Sequence, residues 1–144
     1  MPTVQEIIDP DHTLPSVELK PVHTQEWEGL IREKLAIMAD GEQVGECDIV
    51  YETHPSDLIA HFDGIEITEA KRGKGIGMAS YILAIERAHE RQLPFETQDY
   101  ELTEHSKKIW EVLALAGVAR VINPFKPSAI RSGRFVGKYQ VPVH

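Results

Sequence analysis

The chain has 144 residues, of which 42% are hydrophobic and 26% are charged, a composition typical of one soluble globular domain. Its formal net charge at pH 7 is −8, which argues against nucleic-acid binding because phosphate neutralisation requires basic patches. A chain of this length buries enough surface to fold without a disulfide or a structural metal. We therefore expect a single domain over residues 1–144 with no nucleic-acid partner.

The charge is divided unevenly along the chain. Residues 1–70 contain sixteen acidic and three basic side chains, a balance of −13. Residues 71–144 contain seven acidic and twelve basic side chains, a balance of +5. This asymmetry fits either an acidic surface that only keeps the protein in solution, or a cation site in the first part and an anion site in the second.

Several classes of protein are disfavoured by what the sequence lacks. Cys47 is the only cysteine, so no intrachain disulfide can form, and its apolar surroundings predict a small buried hydrophobe. The seven histidines show no metal-ligand spacing, so we expect no metal site. No apolar run approaches the ~20 residues of a membrane span, and the N-terminus has no secretory signal, so we expect a cytoplasmic protein without a membrane partner.

The first half of the chain is predicted to be rich in strands. Residues 1–15 contain three prolines and predict an irregular leader. Residues 24–39 suit either a helical stripe or a strand, and we divide them into a helix followed by a strand. Asp40-Gly41 predicts a hairpin turn. The predicted elements are an edge strand Val17–Val22, a short helix from Thr24 to about Glu33, and strands Leu35–Ala39, Val44–Tyr51 and Leu58–Thr68.

The second half is predicted to alternate helices and strands. Thr103 is a predicted N-cap for its second helix, and Gly117 is well placed to end that helix. Residues 123–131, which contain two prolines, predict a loop. The predicted elements are helix Met78–Arg91, strand Phe95–Tyr100, helix Glu104–Ala116, strand Val118–Ile122 and strand Phe135–Val143.

A glycine-rich segment, Lys71–Gly77, lies between a predicted strand and a predicted helix. Such a turn presents backbone N–H groups at the positive end of a helix dipole, which makes an anion site, and Arg72 and Lys74 add positive charge. The P-loop pattern fails because Lys74 is followed by glycine. The dinucleotide pattern G-x-G-x-x-G fails because Met78 stands where its last glycine is required. The pattern that remains is Arg-x-x-Gly-x-Gly.

This segment, together with the strand before it (residues 65–77), resembles the strand–loop–helix signature of the GNAT superfamily of acyl-coenzyme A-dependent N-acetyltransferases. The later run from Ser106 to Val118 is similar to that family's second motif, and the resemblance covers roughly residues 35–122. It implies an α+β (α/β) fold: a single GNAT-like domain with a mixed, mostly antiparallel central sheet, flanking helices and a splayed strand pair.

The resemblance also implies how acetyl-CoA would be bound. The loop amides would hold the diphosphate, Arg72 and Lys74 would support its charge, and backbone groups of the preceding strand would pair with the pantetheine arm and polarise the thioester carbonyl. Ser106 stands where the family usually has an asparagine. The implied cofactor-binding residues are Ile65, Ile67, Arg72, Gly73, Lys74, Gly75, Ile76, Gly77, Met78 and Ser106.

A protonated amine acceptor must lose a proton before it attacks, so a general base is required. The candidates are His61, where some family members place a glutamate, and Glu66. Strand alternation predicts that His61 shares a face with Ile65 and Ile67, as does Asp63, whereas Glu66 points the other way. The family's usual acid, a tyrosine, is replaced by Leu113. By residue type alone, the substitutes are Tyr81, Tyr100 and Tyr139.

The function implied by the resemblance is transfer of an acetyl group from acetyl-CoA to a primary amine by direct attack in a ternary complex. The acidic first half favours a cationic acceptor, either a small molecule or an amine of a protein. Two alternatives stay open: a non-catalytic coenzyme A-binding module of the same fold, favoured by Leu113, and an interaction protein with a vestigial loop. By analogy, a homodimer is also left open.

Overall fold

The computed structural model describes residues 2–97 and 101–143, which form one sheet with helices packed against it. Its helices are α1 (Val4–Ile8), α2 (Ile76–Glu90) and α3 (Glu104–Leu115), with a short 3₁₀ turn at Glu69–Lys71. Its strands are β1 (Val17–Trp27), β2 (Leu30–Ala39), β3 (Glu42–Glu52), β4 (Ile59–Ile67), β5 (Phe95–Glu96), β6 (Leu102–Thr103), β7 (Arg120–Pro127) and β8 (Arg134–Val141).

The sheet has the strand order β1-β2-β3-β4-β5-β8-β6, and β7 pairs with β8. Pairing is antiparallel except between β4 and β5, which run parallel and are in register at Ala60 and Phe95. Within the described residues, this is the one position at which β4 and β5 pair. The predicted fold class, a mixed and mostly antiparallel sheet with a splayed strand pair, is confirmed.

The core lies between the sheet and the two longer helices. Apolar residues from β2, β3 and β4 meet one face of α2, and Trp110 of α3 joins them. Phe62, Tyr81 and Phe95 pack edge to face, with centroid separations of 4.8–6.3 Å, and Trp110 stacks on Phe95 at 5.8 Å. This aromatic cluster joins α2, α3, β4 and β5, so it fixes the two helices against these two strands.

The predicted helix from Thr24 to about Glu33 is wrong, because these residues belong to a hairpin. Strand β1 continues to Trp27, a turn follows at Glu28-Gly29, and β2 begins at Leu30. Glu33 concealed the alternation of β2, since it lies on the strand's core-facing side and is buried. Its charge is balanced by Arg87, which is 54 positions away in the sequence, so no local pattern could reveal the pairing.

The predicted irregular leader is also wrong in part, because it contains α1. The Thr3 hydroxyl caps this helix by accepting the Glu6 N–H at 3.1 Å, and Val4 is buried in the core. The Asp9 carboxylate then accepts the N–H groups of Thr13 and Leu14, at 2.7 and 3.1 Å. The leader is therefore a packed part of the domain.

We expect Asp9→Asn to lower the urea midpoint of unfolding at pH 7. Burial raises the pKa of Asp9, but hydrogen bonds from Thr13 and Leu14 lower it by more. The pKa of Asp9 in the folded protein is therefore below the usual value of 3.8. A lowered pKa stabilises the fold above that value, and the contribution is lost as the pH falls through the folded-state pKa. The difference between variant and wild type should therefore shrink in acid. Asp11→Asn, at an exposed neighbouring position, is the control, and an equal effect of both variants would contradict this role.

The second half of the chain agrees more closely with prediction. Helix α3 is capped as predicted, with the Thr103 hydroxyl accepting the Ser106 N–H at 3.2 Å, and the chain turns at Gly117 with a φ of +78°. Strand β7 reaches Pro127, so the predicted loop at 123–131 is wrong in its first half. Strand β6, a two-residue pairing with β8, was not predicted. The last three residues of the predicted strand Phe95–Tyr100 lie outside the described residues.

Candidate functional site

A cleft of about 580 Å³ opens where β4 ends and the glycine-rich segment leads into α2. Its other side is formed by the first turn of α3 and the beginning of β8. The cleft is lined by Ile65, Glu66, Ile67, Lys71, Arg72, Gly73, Gly75, Ile76, Gly77, Tyr81, Thr103, His105, Ser106, Ile109 and Arg134. Eight of the ten predicted cofactor-binding residues are in this set; Lys74 and Met78 are not.

The first turns of α2 and α3 face each other across the cleft. Gly75 begins α2 in the left-handed conformation, with a φ of +84°, which explains the need for glycine at this turn. The contact between the helices is close at Gly77, where a Cβ atom would lie 2.7 Å from His105 Nε2 and 3.4 Å from Ile109 Cδ1. Because the first N–H groups of a helix have no partner within it, the long helix α2 offers the cleft both donors and a positive dipole end.

Three cationic side chains surround these helix ends. Arg72 Nε donates to the Ile67 carbonyl at 2.9 Å, which fixes the loop to the end of β4. Lys71 forms an ion pair with Glu42 at 3.4 Å, and Arg134 reaches the cleft from β8. Backbone donors and formal positive charge therefore meet at one place, which is the chemistry of an anion-binding site.

The ordered leader supports the loop from outside the cleft. A Cβ atom on Gly75 would lie 3.0 Å from Leu14 Cδ2 and 3.2 Å from Pro15 Cδ, so the leader and the loop are in close contact. Leu14 is held by the hydrogen bond between its N–H and Asp9. The position of the loop therefore depends on a segment more than 50 residues earlier in the sequence.

Strand β4 contains a bulge that changes which side chains share a face. Ile49 pairs with Phe62 and Cys47 with Ile65, so two residues of β4 lie opposite a single residue of β3. Gly64, inside the bulge, has a φ of +114°. Because directly opposed residues share a face, the extra residue puts Phe62 and Ile65 on the same side of the sheet.

The bulge makes part of the predicted alternation of β4 wrong. His61 pairs with Val50 and faces away from the side that carries Ile65 and Ile67. Its Nε2 lies 3.2 Å from a Glu52 carboxylate oxygen, and its Nδ1 lies 3.0 Å from the Phe62 carbonyl. Both ring nitrogens therefore contact oxygen atoms of the protein.

The same face of the sheet carries charged residues that neutralise one another. Arg32 forms ion pairs with Asp48, at 2.6 Å, and with Asp63. These contacts raise the pKa of Arg32, first through its hydrogen bond to Asp63. Glu66 also lies on this face, opposite Glu46, and it borders the cleft with its side chain exposed. Part of the acidic excess of the first half is thus balanced locally.

The candidates for a proton donor occupy very different environments. Leu113, which the resemblance puts in place of a tyrosine acid, is fully buried in the core. Tyr81 lines the cleft, is 1% exposed, and its hydroxyl has no hydrogen-bond partner among the described residues. Tyr139 is outside the cleft lining and stacks on Phe125 at 4.3 Å. The remaining candidate, Tyr100, lies outside the described residues.

Burial raises the pKa of two groups, the Tyr81 hydroxyl and the Cys47 thiol. It raises the pKa of Tyr81 to about 12, an effect opposed by the nearby Ser106 and Trp110 side chains, although neither meets hydrogen-bond geometry with the hydroxyl. It also raises the pKa of the Cys47 thiol to about 12, assisted by Asp48 and Glu33, so this thiol stays protonated and is unsuited to act as a nucleophile.

The sequence interpretation missed Lys71, Thr103, His105, Ile109 and Arg134 as cleft residues. The position of His105 in the first turn of a capped helix is a signal that could have identified it, because this helix follows the splayed strand. Arg134 has no comparable local signal, since it reaches the cleft only through the pairing of β8 with β6.

Across the described ranges, no group of three or more acidic, histidine or cysteine side chains is arranged to hold a metal ion. Nor is any described helix long and apolar enough to cross a membrane.

Comparisons with known proteins agree on the fold. No family model and no curated protein matches the sequence. Among solved structures, nourseothricin acetyltransferase matches over 100% of this chain and 95% of its own length, with 15% identity and a TM-score of 0.55. A GCN5-related N-acetyltransferase from Kribbella flavida matches over 78% and 68%, with 20% identity and a TM-score of 0.58. A GNAT-family acetyltransferase from Streptococcus pneumoniae matches over 78% and 67%, with 14% identity and a TM-score of 0.56. The chain therefore has the GNAT fold.

Proposed function

We propose that this protein is an N-acetyltransferase that transfers the acetyl group of acetyl-CoA to a primary amine in a ternary complex. The observation that carries the proposal is the cleft, in which the start of α2, the first turn of α3 and three cations converge beside the end of β4. The similarity of fold to solved acetyltransferases supports it. The first turn of a long helix suits a diphosphate, and the apolar cleft residues Ile65, Ile67 and Ile109 suit an extended arm.

The cleft residues have distinct proposed roles in binding. The amides from Gly73 to Met78 bind the diphosphate, and Arg72 and Lys74 supply positive charge at its rim. Lys71 and Arg134 add to that charge from the cleft wall. Further in, the backbone of Ile65 and Ile67 pairs with the pantetheine arm, and Ser106 offers a hydroxyl from α3; Gly75, Ile76 and Gly77 belong to the diphosphate site.

The proposed chemistry needs no covalent enzyme intermediate. Acetyl-CoA supplies an activated thioester, whose carbonyl carbon is attacked by the acceptor nitrogen as the carbon–sulfur bond breaks. We assign removal of the amine proton to Glu66, directly or through water, because Glu66 is exposed at the edge of the cleft. His61 is the weaker candidate, since both of its ring nitrogens already contact protein oxygens. The buried Cys47 is consistent with direct attack.

A cationic acceptor is proposed from the charge of the sheet face that carries Glu66. Glu46, Asp48, Glu52 and Asp63 lie on this face, and Arg32 and Lys34 neutralise only part of their charge. An amine acceptor with additional positive charge would gain electrostatic attraction there. A non-catalytic coenzyme A-binding module is the second candidate, and the observation that favours it is the burial of Leu113 where the related enzymes have an acid.

Ligand-dependent stabilisation tests the binding part of the proposal. Acetyl-CoA and coenzyme A should each raise the melting temperature, because a ligand that binds only the folded state stabilises it by mass action. NAD and ATP at the same concentration serve as controls. Absence of stabilisation by either coenzyme A species would refute both candidate functions.

Release of free thiol from acetyl-CoA then separates the two functions. We expect release that depends on a cationic amine and is reduced at least tenfold in Glu66→Gln, since a general base typically contributes about 10²–10⁴-fold. The assay has little background because Cys47, the chain's single thiol, is buried. Binding without release for any amine would instead favour the non-catalytic module.

A further inference from the structure

We propose that the Tyr81 hydroxyl recognises the pantetheine arm of coenzyme A by donating a hydrogen bond to one of its amide carbonyls. This inference rests on the proposed function, since it concerns the same cleft. Tyr81 lies outside both sequence motifs, residues 65–77 and 106–118. The proposed role is binding of the arm, not proton transfer.

The hydroxyl is a buried donor without an acceptor in the part of the chain that the structure describes. Tyr81 is 1% exposed, and its Oη atom has no hydrogen-bond partner among the described residues. Buried polar groups are nearly always paired, and leaving one unpaired costs stability. Its ring is held by edge-to-face contacts with Phe62 and Trp110, so the hydroxyl cannot easily turn towards solvent. An unpaired donor held rigidly in a cleft wall is best explained by a ligand acceptor.

The position of the hydroxyl distinguishes the arm from the phosphates. Tyr81 lies four residues after Gly77, about 6 Å further along α2 from its positive end. The cations and exposed loop amides are at the outer end, whereas Tyr81 lies against Ser106 and the Trp110 ring. Burying a phosphate charge there would be costly, but a neutral amide carbonyl can be buried when it is hydrogen-bonded.

The type of acceptor follows from the same reasoning. The arm offers amide carbonyls, which are strong acceptors, and a terminal sulfur, which is a weak one. Burial also keeps Tyr81 protonated over the whole neutral range, with a pKa of about 12, so its hydroxyl remains a donor. The Ser106 hydroxyl, 9% exposed, is a second polar group near the same point.

Calorimetric titration of Tyr81→Phe with three probes tests the proposal. Affinity for coenzyme A should fall about three- to tenfold, the range expected for loss of one neutral hydrogen bond. Desulfo-coenzyme A, which lacks the sulfur but keeps both amides, should lose affinity equally. The nucleotide portion that ends at the diphosphate should bind both proteins alike. Tyr139→Phe makes the same chemical change outside the cleft and should leave all three affinities unchanged.

Unfolding of the ligand-free variant gives a second readout, independent of activity. Tyr81→Phe should be as stable as the wild type or more so, because removing an unpaired buried hydroxyl is neutral or favourable. A clear loss of stability would show a structural partner for the hydroxyl and overturn the proposal. So would an unchanged affinity for coenzyme A, or a loss that disappears with desulfo-coenzyme A. If the wild type fails to bind coenzyme A at all, the proposed function itself is refuted.

Discussion

Gly77→Leu is expected to lower the affinity for acetyl-CoA at least a hundredfold while the protein still folds. A Cβ atom at this position would lie 2.7 Å from His105 Nε2, so a leucine side chain would push the His105 ring out of its place in the cleft lining. The substitution carries no backbone strain, because Gly77 is a helical residue without positive φ, and leucine favours helix by up to about 1 kcal/mol over glycine. The exposed His105 ring can move aside.

Isothermal titration with acetyl-CoA and urea unfolding measure the two parts of this prediction. Glu90→Leu places the same side chain on the exposed last turn of the same helix and should leave the affinity unchanged. Gly77→Ala should show an intermediate loss, because a methyl group displaces the His105 ring less than a leucine side chain does. A folded Gly77→Leu protein with wild-type affinity would show that the ligand does not bind against these two helix ends.

Glu33→Ala is expected to be the most destabilising of the substitutions considered, by about 3–5 kcal/mol of unfolding free energy. The Glu33 carboxylate, 6% exposed, accepts Arg87 Nε and Nη2 at 3.1 and 2.7 Å. It also accepts the Tyr51 hydroxyl at 2.9 Å. Burial lowers the pKa of Arg87 because it disfavours the charged form. The hydrogen bond and charge of Glu33 outweigh this effect, so the pKa of Arg87 is raised overall. Removing the carboxylate would leave a guanidinium and a buried hydroxyl without their partner.

Urea denaturation at pH 7 measures this loss, with Glu46→Ala as the matched control. Glu46 pairs with Lys34 on the adjacent strand at 3.9 Å, but both side chains are about half exposed, at 54% and 49%. An exposed pair of this kind contributes about 0–1 kcal/mol. Comparable losses in the two variants would contradict the view that burial makes the Glu33 pair structurally important. Since Arg87 belongs to α2, the pair also fixes the helix whose first turn forms the cleft.

The features that sequence predicted well are those with short-range causes. The glycine-rich turn requires a left-handed residue at Gly75, and the amide donors follow from the helix that starts there. Helix α3 was predicted with its cap at Thr103 and its end near Gly117, because both signals lie within a few residues of the helix. The hairpin at Asp40-Gly41 is of the same kind, and both residues have positive φ.

The features that sequence predicted poorly depend on distant partners. Glu33 looked helical or exposed until its partner on α2 was known. The face on which His61 lies depends on a bulge in the pairing of β3 with β4. A bulge is defined by the register of two paired strands, so the sequence of β4 alone could not predict it. The leader looked irregular because its order comes from Asp9 and from contact with the loop at Gly75.

The amino-acid sequence by itself determined where an anion site could form and how its positive charge is distributed. The loop, the helix that follows it and most of the cations are encoded within a few residues of one another, so local chemistry was enough. Tertiary structure alone decided what faces that site: His105 and Arg134 across the cleft, Tyr81 in its wall and His61 on the opposite face of the sheet. The physical reason is that strand register, bulges and helix packing are settled by contacts between segments far apart in the chain, and these contacts determine which side chains share a surface.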